Sequence, residues 1–239
     1  MRSYTRHQLK QDAFRAQTTE TISWAVEHQS KLIAAAVVIG VIVAAVLGGW
    51  AYVNYRDEQA QSELSTAIEK YNAPLRPPDA PPTPGLLSYA SAQERAKATN
   101  AEFTRIANKY SFTQSGRLAR YFAGITFHDM GDNAAAEKEL KDVAGSRYKE
   151  IASLAKLALA GIYHDSGGDP QAIALYKELA EHPTASVGKS TAQFLLASLY
   201  EESHQPDQAR ALYQQMQKES PASPVAQLAM QKLRALQQQ

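Results

Sequence analysis

"FHDMGD", residues 127–132, returns as "YHDSGG" at residues 163–168. An aromatic residue followed by His-Asp and, two positions on, by glycine is either a piece of chemistry or a piece of architecture. The flanking residues decide between them. Gly124, Ala160 and Ala197 each stand three residues before an aromatic, namely Phe127, Tyr163 and Tyr200. Nine residues after each aromatic comes alanine, at Ala136, Ala172 and Ala209. Leu140, Tyr176 and Tyr213 follow four positions later, then Val143, Leu179 and Met216 after three more. Three copies therefore hold one register at spacings of 36 and 37 residues, which marks a repeated structural unit rather than a duplicated active site.

Small residues at fixed places let two helices approach closely, and the rings fill the space beside them. "MGD", "SGGDP" and "HQPD" supply the turns within each pair. In the second copy Asp169 is the expected N-cap, with Pro170 in the first helical position, and Ser223 and Pro224 repeat that start signal. Val225, Leu228, Ala229, Leu233 and Leu236 then mark one face of a closing helix. These residues resemble the tetratricopeptide repeat over about residues 117–236. The resemblance implies an all-α fold: a solenoid of three helix pairs, residues 111–239, ended by a capping helix. Two features depart from the family pattern. Arg120, Lys156 and Gln193 occupy the place where a tryptophan is common, and the first copy ends in "AGSRY" without proline.

In this register His128, Asp129, His164 and Asp165 fall on the last turn of each first helix, where the third copy has Glu201 and Glu202. Histidine there is favourable through the helix dipole alone. No HExxH is present, nor GxSxG, GxxxxGK[ST] or GxGxxG, so no metal site, catalytic residue or cofactor is expected. With 25 basic against 24 acidic residues the net charge is +1, which gives polyanions no purchase and argues against nucleic acid as a partner. Cysteine is absent, which excludes thiol chemistry and a disulfide frame.

Upstream, Leu32 to Val53 carries no charge and is almost wholly apolar, matching the ~20 residues a helix needs to cross a ~30 Å hydrocarbon layer. Lys31 and Arg56 bracket it, and Trp50, Tyr52 and Tyr55 cluster at its outgoing end. The expected division is a cytoplasmic segment at 1–31, a transmembrane helix at 32–55 and everything after it on the far side. A cleaved signal peptide would have a shorter apolar stretch behind a short basic start. Arg2, Arg6, Lys10, Arg15 and Lys31 outnumber Arg56, Lys70 and Arg76, which places the N-terminus inside. The leading segment, with Leu9, Phe14, Ile22, Trp24 and Val26, is either an amphipathic helix on the leaflet or a loosely ordered tail.

Residues 56–110 read as an irregular helical hairpin. Ala60, Leu64, Ala67, Ile68 and Tyr71 form one apolar stripe, and Tyr89, Ala92, Ala96, Phe103, Ile106 and Tyr110 another. Between them the insertion at 73–85, "APLRPPDAPPTPG", holds six of the chain's eleven prolines. The alternative is a flexible stalk.

By the geometry of the tetratricopeptide family, the first helices would line a protein-binding groove. Its residues would be Leu118, Tyr121, Ile125 and His128; Leu154, Leu157 and His164; then Phe194, Ser198 and Glu201. The whole layout is similar to the bacterial family of ancillary SecYEG translocon subunits. That resemblance implies an inner-membrane protein with a periplasmic, chaperone-like domain, its partners being the translocon, exported clients or periplasmic chaperones, with no small-molecule substrate. The alternative is a structural adaptor in a division or cell-wall assembly that binds no clients.

Overall fold

In the computed structural model, residues 28–77, 80–219, 221 and 223–236 are described, and the expectations for the leading segment lie outside them. The described residues form nine helices and no strand. They fall into two units, divided between Asn54 and Tyr55. Helix α1 is Gln29–Tyr71. Its apolar window has a mean hydropathy of 2.8 and none of it is buried among the described residues, so it is long and apolar enough to cross a membrane.

In the second unit, the outer part of α1 presents Ala60, Leu64 and Ala67 to α2, Ala92–Lys109, which answers with Phe103, Ile106 and Ala107. Phe103 stacks on Phe122 with centroids 5.1 Å apart, and Tyr71 meets both rings edge-on. Ion pairs flank this core. Glu63 accepts from Arg105, Lys109 and the Tyr110 hydroxyl, each at 2.7 Å, and the Lys109 contact is the main cause that brings its carboxyl down to about 2. The proline-rich insertion is closed at its base by a bridge in which Tyr89 N–H donates to Pro74 O and Arg76 N–H to Tyr89 O. Ala92, expected on the buried stripe, is exposed: it is the first residue of α2, one place after the Ser91 cap.

The repeats follow as α3 Gln114–Asp129 with α4 Asn133–Ala144, α5 Lys149–Asp165 with α6 Asp169–Glu181, α7 Lys189–Glu202 with α8 Pro206–Glu219, and α9 Pro224–Leu236 as the cap. Each helix packs mainly on the next in the chain. The recurrent alanines Ala136, Ala160, Ala172, Ala197 and Ala209 are all fully buried. At Gly124 a methyl would lie 2.6 Å from Leu140 Cγ, so only hydrogen fits opposite that branched side chain. In the other two repeats alanine shares its cluster with a tyrosine, Tyr176 or Tyr213, whose flat ring leaves room for a methyl.

All three intra-repeat turns have one hydrogen-bond pattern, and it answers the question raised by "FHDMGD". Asp132, Gly168 and Gln205 N–H donate to the carbonyls of Phe127, Tyr163 and Tyr200, while Gly131, Gly167 and His204 donate to His128, His164 and Glu201. That is the Schellman ending, which needs a left-handed residue just past the helix. Gly131 and Gly167 supply it at φ 85° and 77°, and His204 at φ 56°.

Two further local expectations are corrected. Asp132 caps α4 by accepting from Ala135 N–H, but Gly168, not Asp169, is the cap of α6, and the Asp169 carboxylate turns instead to His164 and Ser203. On α9, Leu228 is 49% exposed and Ala226 takes its place in the buried face, because Ala226 and Ala229 can approach the neighbouring helices more closely.

Gly124→Ala should lower stability by about 1–3 kcal/mol in denaturant titration, the usual range for overpacking a closed site. His204→Gly should raise it by about 0.5–1 kcal/mol, since glycine is relieved of the left-handed penalty at a modest entropic cost.

Candidate functional site

The ten expected groove residues sit on α3, α5 and α7, and all ten are partly exposed, none of them buried outright or fully in solvent. Their helices explain why. Ala119, Ala123 and Thr126, then Ala155, Leu159 and Ile162, then Ala192, Leu196 and Leu199 take the buried face of each helix. The ten stand beside that face on the helix surface. Leu118, Tyr121 and Ile125 pack against the cluster of Ile151, Ala155, Leu159 and Ile162. Leu154, Leu157 and Phe194 pack against the cluster built on Leu196, Tyr200 and Tyr213. Apolar side chains half covered at this edge are support and contact surface at once.

The polar members are held by neighbours within the fold. His128 Nδ1 lies 2.8 Å from Asn133 Oδ1, and His164 Nδ1 lies 2.7 Å from Asp169 Oδ1, in each case the first residue of the next helix. Glu201 accepts from the Tyr213 hydroxyl at 3.2 Å and from Lys232 of the capping helix at 3.3 Å. The Ser198 hydroxyl is 3.4 Å from that same tyrosine oxygen. Burial pushes the Tyr213 phenol up to about 12, so it remains a donor.

His164 is the most constrained. Its Nε2 is 2.7 Å from Glu202 Oε2 on α7, so both ring nitrogens face carboxylates. Only the imidazolium donates from both, and the bonds to Asp169 and then Glu202 raise its pKa above the usual histidine value. Asp169 is lowered reciprocally, by His164 and then Ser203. The bridge joins the turn of the second repeat to the end of the third repeat's first helix. Among the described residues no group of three or more His, Asp or Glu is placed to hold a metal.

Neither of two cavities beside these helices gathers the ten. One of about 540 Å³ lies between Lys149, Ser153, Lys156 and the segment Glu181–Thr184, and another of about 440 Å³, between α1 and α3, touches only Leu118 of the set.

Arg120, Lys156 and Gln193, at the place where a tryptophan is common, have a role that their replacement of it did not reveal. Arg120 donates to Glu139 at 2.9 Å and meets Asp142 at 3.3 Å, Lys156 donates to Glu178 at 2.6 Å, and Gln193 reaches Glu219 at 3.4 Å. Each is a polar tie from the first helix of a pair to the second. Asp142 and Glu178 stand at equivalent repeat positions, 22 residues after Arg120 and Lys156, and that spacing was readable in the sequence.

The family described as tetratricopeptide repeat-like domain matches residues 23–238 of the chain. No curated protein and no solved structure matches it.

A raised histidine pKa stabilises the fold fully below the unfolded value of ~6.5, and that contribution is lost as pH rises through the higher folded value. The melting temperature of the wild type should therefore fall as pH climbs upward from ~6.5, and His164→Gln should flatten that slope. An NMR titration placing the His164 midpoint at or below the ordinary histidine value would refute the bridge.

Proposed function

The chain belongs to the tetratricopeptide repeat-like domain family, and from that premise we propose that it is a membrane-anchored scaffold binding other proteins along its first helices. The observation that carries this reading is the half-covered apolar row Leu118, Tyr121, Ile125, Leu154, Leu157 and Phe194, recurring on α3, α5 and α7. Such a row fits short apolar segments with little regard to sequence. Tying down His128, His164, Ser198 and Glu201 within the fold leaves the apolar part as the adaptable contact surface.

In this reading residues 32–53 cross the bacterial inner membrane with the N-terminus in the cytoplasm. The wholly exposed apolar stretch of α1 supports that, since water is a poor environment for it. The repeats then work in the periplasm near the Sec translocon as a chaperone-like receiver of newly exported chains. An anchor raises the effective concentration of the domain at the exit without any new contact. The fold class is one of scaffolds, and no catalytic role is assigned to any residue.

A photoreactive amino acid at Tyr121 or Phe194 of the full chain in cells tests the proposal. Crosslinks to many exported proteins and to translocon subunits are the expected result. A single stoichiometric envelope partner would overturn it in favour of the adaptor.

A further inference from the structure

Phe112, between α2 and α3, is 82% exposed, more than any other large apolar residue among those described. It is not at the tip of a loose loop. Thr113 N–H donates to Tyr110 O, and the Thr113 hydroxyl caps α3 through Gly116 N–H. Arg56 donates to Lys109 O at 2.8 Å and lies 4.6 Å over the Tyr110 ring. Asp57 accepts from Ser115 N–H at 2.8 Å, and the Tyr148 hydroxyl donates to Phe112 O. The backbone around Phe112 is therefore fastened on both flanks while its ring is left in water.

The fastening points locate it. Arg56 and Asp57 follow Val53, the last residue of the apolar run, by three and four positions, so the chain itself keeps them within ~10–14 Å of the end of that run. The headgroup layer on one side of a bilayer is about 5–8 Å thick. Tyr55, 59% exposed, lies in the same interval. Aromatic rings favour that layer. Arg56 and Arg147, neither in an ion pair among the described residues, supply cations beside the loop, while Lys109 is already paired with Glu63.

We propose that Tyr55 and Phe112 form an interfacial foot that seats this domain on the phospholipid headgroups of the membrane its own helix leaves, with Arg56 and Arg147 facing lipid phosphate. The proposal rests on the reading of residues 32–53 as a span.

The test uses the full chain in phospholipid vesicles and collisional quenching by lipids brominated just below the headgroup. The chain has two tryptophans, Trp24 and Trp50. Trp24→Phe leaves Trp50 as reporter of the span, and Phe112→Trp with both native tryptophans replaced by phenylalanine reports the foot. Leu228→Trp in the same background is the control at the opposite end of the repeats. Quenching at 50 and 112 but not at 228 is expected. Quenching at 50 alone would overturn the foot and leave the span standing. No quenching at 50 would remove the span, and the foot with it. Equal quenching at 112 and 228 would mean general adsorption and would also overturn the proposal.

Discussion

The arrangement rests on how closely two helices can come together at one point in each repeat. Gly124, Ala160 and Ala197 face the second helix of their own pair, whose inner side carries Ala136, Ala172 and Ala209, all fully buried. Residues this small bring the backbones near enough for Leu140, Tyr176 and Tyr213 to close the gap. Once that distance is fixed, the remaining side chains of the first helix have only two directions left. One is toward the neighbouring pair, as with Ala155, Leu159 and Ile162, and the other is toward the open edge, as with Leu154 and Leu157. The candidate binding row is in this sense a by-product of the packing.

Polar contacts then set the register that packing alone leaves soft. Within pairs, Arg120, Lys156 and Gln193 each reach a carboxylate on the second helix. Arg120 and Glu139 are each only 18% exposed, so this tie has more weight than an ordinary surface pair. Between pairs, His164 joins Asp169 to Glu202, and Lys232 joins the cap to Glu201. Tyr71 donating to Asp129 does the same between the outer part of α1 and the first repeat.

Much of this was legible beforehand because it is periodic. The alanine and ring positions, the glycine turns and the number of helices follow from spacing, and so does the assignment of the His-Asp pair to a helix end. The misreadings occurred where a side chain had two satisfying options. Asp169 suits an N-cap by type, but a histidine five residues earlier and the serine just past the end of α7 held it more strongly. Leu228 fits the stripe of α9 by type, but alanines allowed closer contact. For the proposed groove, spacing put ten residues on the first helices of the pairs and could not show that four would be engaged internally. The hub at Glu63 was invisible for another reason: its partners lie 42 to 47 residues away, beyond any local pattern.

From α2 onward nearly every helix leans on the element just before or after it in the chain. Contact order is therefore low, and closing each unit spans only a few dozen residues. A domain wired in this way need not wait for its C-terminus before acquiring structure. As synthesis proceeds from the N-terminus, each pair can settle on the one already formed, so that within the growing stack the apolar face of the newest pair is the one awaiting cover.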